Sequence, residues 1–184
     1  HQLRIVGVGT EAEQPGLAPL ERRSLQQLAG ATGGSYFDLT VDASDVSSEA
    51  LAVAQINIQR HLLQHRIALL ESDGLAAACG PYDLILCNPP YVNSASMATL
   101  PAEYRAEPAL ALAGGPDGMD FIRRLLHEAA AHMTEAAVLV LEVGHEAAHF
   151  EAAFPQLEVV WLGTSADDDQ VLLLTRQALL DNPT

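Results

Sequence analysis

The chain has 184 residues and a net charge of -15, because nine arginines and no lysine face 24 acidic residues. A chain of this length can bury one core, and its 49% of apolar residues excludes a disordered protein. The excess of acid disfavours binding to phosphate backbones and favours a basic partner.

Three further features bear on the compartment and on the extent of the chain. No apolar run approaches the roughly 18 residues that span a bilayer, so we expect no contact with a membrane. Cys79 and Cys87 cannot build a disulfide framework and indicate reduced thiols in a cytoplasmic protein. A start at His1 without a signal-peptide layout indicates a fragment or an excised domain.

Apolar strand-like runs alternate with helical patterns along the chain, which predicts an α/β fold with a mostly parallel sheet. A Ser47 or Ser48 N-cap predicts a helix to about His65, with Leu51, Ala54, Ile58 and Leu62 as its buried stripe. The predicted strands are 3–9, 39–43, 66–70, 82–87 and 137–143, and the other predicted helices are 21–31, 119–133 and 146–154.

The end of the chain departs from this alternation. Two runs, 159–162 and 171–175, are separated only by a polar turn that contains Asp167, Asp168 and Asp169. So short a connection requires an antiparallel pair. The sequence therefore predicts one domain over residues 1–184, with a long connection at 92–118 of the kind that is usually functional.

Asn88, Pro89, Pro90 and Tyr91 directly follow the predicted strand 82–87. Ligands of open α/β sheets bind at the carboxyl ends of the strands, so this position is already indicative. Two prolines lack backbone donors and leave their carbonyls as acceptors, while Asn88 adds an acceptor and Tyr91 a flat wall. The combination predicts a clamp for a planar amine or amide, although a proline-stiffened strand exit is the plainer alternative.

The Asn-Pro-Pro-Tyr sequence after Asp83-Leu84-Ile85 resembles the motif of S-adenosylmethionine-dependent methyltransferases that modify exocyclic or amide nitrogens. The flanking segments resemble the HemK/PrmB type of protein-glutamine methyltransferase, over about residues 38–179. The segments that carry this resemblance are 100–110, 115–118, 141–144 and 173–176. The resemblance implies a Rossmann-like methyltransferase sheet and S-adenosylmethionine as cofactor.

The resemblance also implies site residues. It makes Asn88, Pro89, Pro90 and Tyr91 the substrate clamp. An acid at the end of the second strand would bind the cofactor ribose, and one after the third strand would lie beside the adenine. Both acids could instead only cap the segments that follow. The implied cofactor-binding residues are Asp45, Val46, Asp73, Gly74 and Asn88, with Gly7 and Gly9 as partial substitutes for the family's glycine-rich loop.

The first 37 residues depart from the family pattern. From Gly9 to Asp45 there are 36 positions, against roughly 20 between such a loop and its ribose acid. Segments 4–10 and 28–37 resemble the tail of a von Willebrand factor A domain, which predicts a junction near Phe37. The metal motif of that domain begins at Asp42 but ends in Val46, so we expect no metal there.

Three other patterns have plainer readings. His145, Glu146 and His149 match a zinc-protease pattern, but they start a short helix after Gly144 and have no third ligand downstream. The acids at 167–169 fit a hairpin turn. Cys87 fits a buried strand cysteine rather than a nucleophile. We therefore predict no metal site.

These patterns predict methyl transfer from S-adenosylmethionine to the side-chain amide of a glutamine in a basic substrate protein. Family members of this kind act on a large-subunit ribosomal protein. Two alternatives stay open. One is an amino-group methyltransferase of nucleic acid, which the charge disfavours. The other is a remnant or fusion fragment that folds but has lost cofactor binding with its glycine loop.

Overall fold

A computed structural model describes residues 3–9, 39–101, 107–164 and 169–182. Seven strands form one sheet in the order β3-β2-β1-β4-β5-β7-β6. The strands are β1 (Leu3–Gly9), β2 (Leu39–Asp45), β3 (Ile67–Glu71), β4 (Tyr82–Asn88), β5 (Met133–Glu142), β6 (Val160–Leu162) and β7 (Val171–Thr175). The helices are α1 (Ser48–Arg60), α2 (Ser94–Met97), α3 (Ala109–Leu112), α4 (Asp120–Ala129), α5 (Ala147–Ala153) and α6 (Arg176–Asp181).

Strands β1 to β5 pair in parallel and β7 pairs antiparallel with both β5 and β6. The predicted mostly parallel α/β sheet and its antiparallel C-terminal hairpin are confirmed. The register places Gly9 opposite Asn88 and Asp45 opposite Glu71. The strands β1, β2, β3 and β4 therefore end at one edge of the sheet. The predicted site residues lie at or directly after these strand ends.

Helix α1 begins as predicted but ends early. The Ser47 hydroxyl accepts a hydrogen bond from the backbone N–H of Ala50 at 3.2 Å, which caps the helix. The helix ends at Arg60, so the predicted continuation to His65 is wrong. Leu62 then lies beyond the end in a left-handed conformation, φ +57°, and is 73% exposed rather than part of the buried stripe.

The helix predicted over residues 119–133 is shorter, because α4 ends at Ala129 and a 3-10 turn, Ala130–His132, follows. Met133 is buried and already pairs with Tyr82 in the sheet, so β5 starts four residues before the predicted Ala137. The alanine-rich sequence at this boundary continues the helical period, which hid the change from helix to strand. Helix α6 was not predicted at all.

The core lies between the sheet and the helices α4, α5 and α6. Four residues of α4 at helical spacing are buried: Ile122, Leu125, Leu126 and Ala129. Tyr82 is fully buried, and its hydroxyl donates a 2.7 Å hydrogen bond to Asp42 of β2. Among the described residues, no helix has both the length and the hydropathy to cross a membrane. The predicted helix 21–31 and Asp167 and Asp168 of the predicted turn lie outside those residues.

Candidate active site

The Asn88–Tyr91 segment leaves the carboxyl end of β4 and forms one wall of a pocket of about 180 Å³. Asn88 is exposed, whereas Pro89 is buried. The site therefore presents the amide of Asn88 to solvent on a proline-fixed backbone. The pocket is lined by Asn88, Pro89, Tyr91, Val92, Glu107, Ala111 and Leu112.

The opposite wall comes from α3 and is tied to the clamp by backbone hydrogen bonds. The N–H of Val92 donates to the carbonyl of Leu112 at 2.8 Å. The N–H of Gly114 returns a 2.9 Å bond to the carbonyl of Val92. These bonds place the pocket between the exit of β4 and a short helix of the long connection.

Tyr91 is held from the end of β5. Its hydroxyl donates a 3.3 Å hydrogen bond to Glu142, and its ring lies against Gly144. A Cβ at Gly144 would come within 2.6 Å of that ring, and the glycine has a φ of +53°. Only glycine combines this conformation with so close an approach. The ring plane of Tyr91 is therefore fixed by its neighbours.

Two other glycines support the clamp from behind. A Cβ at Gly114 would lie 2.8 Å from the carbonyl oxygen of Pro90. At Gly118, with φ +81°, it would lie 2.2 Å from the carbonyl oxygen of Tyr91. Both oxygens belong to the backbone of the clamp, so a methyl group at either glycine would displace the clamp itself.

Asp45, the predicted ribose acid, ends β2 at the same edge of the sheet. One carboxylate oxygen, Oδ1, accepts a 2.7 Å hydrogen bond from the N–H of Ser47, so this side chain does cap the following turn. Oδ2 has no hydrogen-bond partner within the described ranges and remains an available acceptor. Neighbouring Val46 is 50% exposed.

Asp73, the predicted adenine-side acid, is paired with Arg124 of α4. Both guanidinium nitrogens contact its carboxylate, at 2.8 and 3.1 Å, and this hydrogen bonding lowers the pKa of Asp73. Gly74 adjoins Phe121, which lies 3.3 Å from the place of a Cβ. Arg124 also stands 5.3 Å from the centre of the Phe121 ring. Asp73 and Gly74 thus meet an aromatic and a cationic side chain from α4.

Neither Cys87 nor the His145–His149 pattern lines the pocket. Cys87 is buried in β4, as the sequence predicted, and burial raises the pKa of its thiol. Glu146 is buried and contacts Nδ1 of His149 with one oxygen and Asn93 with the other. In the described parts of the chain, no three His, Cys, Asp or Glu side chains gather in a way that could hold a metal.

Sequence reasoning missed several residues that shape the pocket. Glu142, Gly144 and Gly118 lie in segments quoted for the family resemblance but were given no role. Their signal in the sequence was a glycine one or two residues after an acid, in Glu142-Val143-Gly144 and Asp117-Gly118. Glu107 and Asn93 carried no signal that could be read without the fold.

Comparisons with known proteins agree with this architecture. The family model described as "Methyltransferase small domain" matches residues 28–104. The ribosomal protein uL3 glutamine methyltransferase of Bordetella pertussis is 58% identical over 142 residues, which cover 76% of this chain and 47% of that protein. This chain is homologous to the protein glutamine methyltransferases. It spans about half the length of the curated relatives that it matches.

Solved structures show the same fold for this methyltransferase homologue. A methyltransferase from Pyrococcus furiosus has a TM-score of 0.60 at 17% identity. The alignment covers 95% of this chain and 75% of the Pyrococcus furiosus chain. The Thermus thermophilus 16S rRNA N2 G1207 methyltransferase, solved with AdoMet and guanosine, has a TM-score of 0.52 at 16% identity, with coverage of 94% and 37%. The predicted Rossmann-like methyltransferase sheet is therefore confirmed.

The comparisons do not support the von Willebrand factor A resemblance of residues 1–37. The methyltransferase model begins at residue 28, before the predicted junction near Phe37. Residues 10–38 lie outside the described ranges, and only the backbone of β1 is described before them. That backbone pairs in parallel with β2 and β4, as a first strand of this sheet would.

Proposed function

We propose that the chain transfers a methyl group from S-adenosylmethionine to the side-chain amide nitrogen of a glutamine in a ribosomal protein. The observation that carries this proposal is the pocket at the end of β4, where Asn88 and Tyr91 face Glu107 and α3. The 58% identity to an enzyme named for glutamine methylation of ribosomal protein uL3 supports the same reaction.

The clamp suits an amide. An amide nitrogen is a weak nucleophile, because its lone pair is delocalised into the carbonyl. The side-chain oxygen of Asn88 and the carbonyl of Pro89 would accept its two N–H bonds, direct the nitrogen and stabilise the positive charge that develops on it. Tyr91 would hold the side chain flat. None of these residues has to remove a proton before transfer, because the proton becomes acidic once the nitrogen is alkylated.

The residues at the neighbouring strand ends fit S-adenosylmethionine. Bound there, the cofactor supplies an electrophilic methyl group on a sulfonium. The available Oδ2 of Asp45 is the type of acceptor that ribose hydroxyls require. Asp73 and Gly74, beside Phe121, offer an acid and an aromatic face to an adenine. Gly9 ends β1 directly opposite Asn88 in the register of the sheet.

A basic protein substrate fits the charge. The chain carries -15 at pH 7, and Glu107 places one carboxylate in the clamp pocket itself. Electrostatic attraction would steer a basic ribosomal protein to this surface and would oppose naked nucleic acid. A ribosomal substrate also implies an enzyme of the cytoplasm, as the unpaired Cys79 and Cys87 do.

The experiment is methyl transfer from labelled S-adenosylmethionine to two substrates in parallel, a purified large-subunit ribosomal protein and naked ribosomal RNA. We expect label on the protein, at glutamine, and a loss of about a hundredfold in turnover for Asn88→Ala at saturating cofactor. Asn57→Ala on α1 is the matched control and should keep wild-type turnover. Label on RNA, or full turnover in Asn88→Ala, would contradict the proposal.

A further inference from the structure

The segment that follows the clamp is anchored by a buried acid on the other side of the site. Asn93 and Glu146 are both only 7% exposed, and they lie 53 positions apart in the sequence. Nδ2 of Asn93 donates to Glu146 Oε1 at 2.7 Å, and the backbone N–H of Asn93 points to the same oxygen at 3.5 Å. The bond joins the chain after β4 to the turn after β5.

Each member of this pair is also fixed locally. Oδ1 of Asn93 accepts a 2.9 Å bond from the N–H of Ser96 and so caps α2. The other carboxylate oxygen of Glu146 contacts Nδ1 of His149 on α5. Burying a carboxylate is costly unless it is hydrogen-bonded, and here both oxygens have partners. A side chain of this kind specifies one arrangement of the two turns rather than simply filling space.

The clamp depends on such an anchor because of its prolines. Pro89 and Pro90 have no N–H and cannot be held by donating backbone hydrogen bonds. The fixed points that follow them are Val92, bonded to Leu112, and Asn93, bonded to Glu146. Of the hydrogen bonds described for Val92 and Asn93, that of Asn93 to Glu146 reaches the β5 side, where the Tyr91 hydroxyl also bonds to Glu142 at 3.3 Å.

We propose that Glu146 is a positioning residue for the amide clamp, acting through Asn93 to hold the Asn88–Tyr91 segment in register against the end of β5. Glu146 touches no reacting atom in this role. The inference rests on the proposed function, and it predicts a loss in turnover rather than in cofactor affinity. Asp45 and Asp73, at the ends of β2 and β3, do not contact Glu146.

The test compares Glu146→Ala with Glu146→Gln, whose side-chain oxygen can still accept from Asn93. Glu151→Ala removes an exposed acid from α5, the helix that follows Glu146, and is the control. For Glu146→Ala we expect kcat to fall more than about tenfold, since small displacements of a positioned reactant are costly. The dissociation constant for S-adenosylmethionine should stay at the wild-type value, and the Gln variant should recover most of kcat.

Hydrogen exchange gives a readout that does not depend on activity. Backbone exchange over residues 91–97 should accelerate in Glu146→Ala, and should be unchanged in Glu146→Gln and Glu151→Ala. If the wild-type chain transfers no methyl group, the proposed function fails, and this exchange measurement alone decides the positioning role. Unchanged exchange and kcat in Glu146→Ala would overturn the inference. So would equal losses in the Gln and Ala variants, or a parallel loss of cofactor affinity.

Discussion

The proposed substrate side and the proposed cofactor side of the site are built in different ways. The substrate side is a contiguous run, Asn88–Tyr91, supported from behind by glycines whose missing side chains let backbone pass close by. The cofactor side consists of single residues, such as Asp45 and Asp73, at the ends of separate strands. The substrate side can be recognised from a short stretch of sequence. The residues of the cofactor side are distant in sequence, and the strand order brings them together.

The two sides also differ in how tightly their residues are committed to the fold. Tyr91 contacts Glu142, Gly144 and Gly118, so its position is fixed before any ligand arrives. On the cofactor side, Asp45 keeps an available oxygen and Asp73 already binds Arg124. Substitutions on the substrate side should therefore disturb structure together with turnover, whereas loss of the available Asp45 oxygen should lower cofactor binding.

The largest expected effect belongs to Gly118→Ala. At φ +81° the new methyl would lie 2.2 Å from the carbonyl oxygen of Tyr91, so the clamp backbone has to move. We expect a loss of about 3 kcal/mol in the free energy of unfolding, measured by urea denaturation, together with the loss of turnover.

Gly115→Ala is the matched control for that substitution. Its φ of +93° is equally unfavourable, but its Cβ would meet only the side chain of Asp120, which is exposed and can turn away. The expected loss is the conformational cost alone, about 1 kcal/mol. Equal losses in the two variants would show that the contact with Tyr91 does not support the clamp.

Two substitutions of Tyr91 distinguish the role of its ring from the role of its hydroxyl group. Tyr91→Ala removes the flat wall and should lower kcat about tenfold or more, because the bound amide loses its orientation. Tyr91→Phe keeps the ring against Gly144 and removes the hydroxyl that bonds to Glu142 at 3.3 Å, so kcat should stay within about threefold. Steady-state kinetics with the protein substrate measures both. A Phe variant as slow as the Ala variant would assign the role to the hydroxyl.

The smallest expected effect concerns the ion pair between Asp117, in the turn before α4, and Arg123 of α4. Hydrogen bonds from Arg123 lower the pKa of Asp117 to about 2. Because this folded-state pKa lies below the ordinary value of about 3.9, the pair stabilises the fold above about pH 4 and loses that contribution as the pH falls towards 2. The pair is exposed, so the contribution is small.

Urea unfolding of the wild type and of Asp117→Asn over a pH series measures this contribution. The difference in unfolding free energy should be largest near neutral pH and shrink below about pH 5. A difference that stays constant down to about pH 3 would mean that the charge of Asp117 contributes nothing and that only its bond to the N–H of Met119 matters.

Much of the fold was predictable because its signals are local. Apolar runs bounded by glycine and proline located the strands, and the short connection before Val171 required the antiparallel hairpin. Two boundaries were wrong for a common reason. Leu62 and the segment before Ala137 continue a helical period in sequence, but the helices end where a left-handed residue or a strand partner takes over.

The site was predictable where one motif holds the chemistry and not where distant segments meet. Asn88 and Tyr91 could be predicted from a four-residue motif at the end of a predicted strand. The contact between Asn93 and Glu146 joins residues 53 positions apart, and no local pattern predicts it. Glu107 enters the pocket only because Val92 bonds to Leu112 and brings the long connection back to β4.

The account depends most on the cofactor side, and calorimetric titration of the chain with S-adenosylmethionine tests it directly. Asp45→Ala removes the predicted ribose acceptor at the end of β2, and Glu49→Ala, in the first turn of α1, is the control. We predict binding with a dissociation constant on the order of micromolar, kept in Glu49→Ala and lost in Asp45→Ala. A folded wild-type chain that binds no cofactor would contradict the account and identify a methyltransferase fragment with a clamp but no methyl donor.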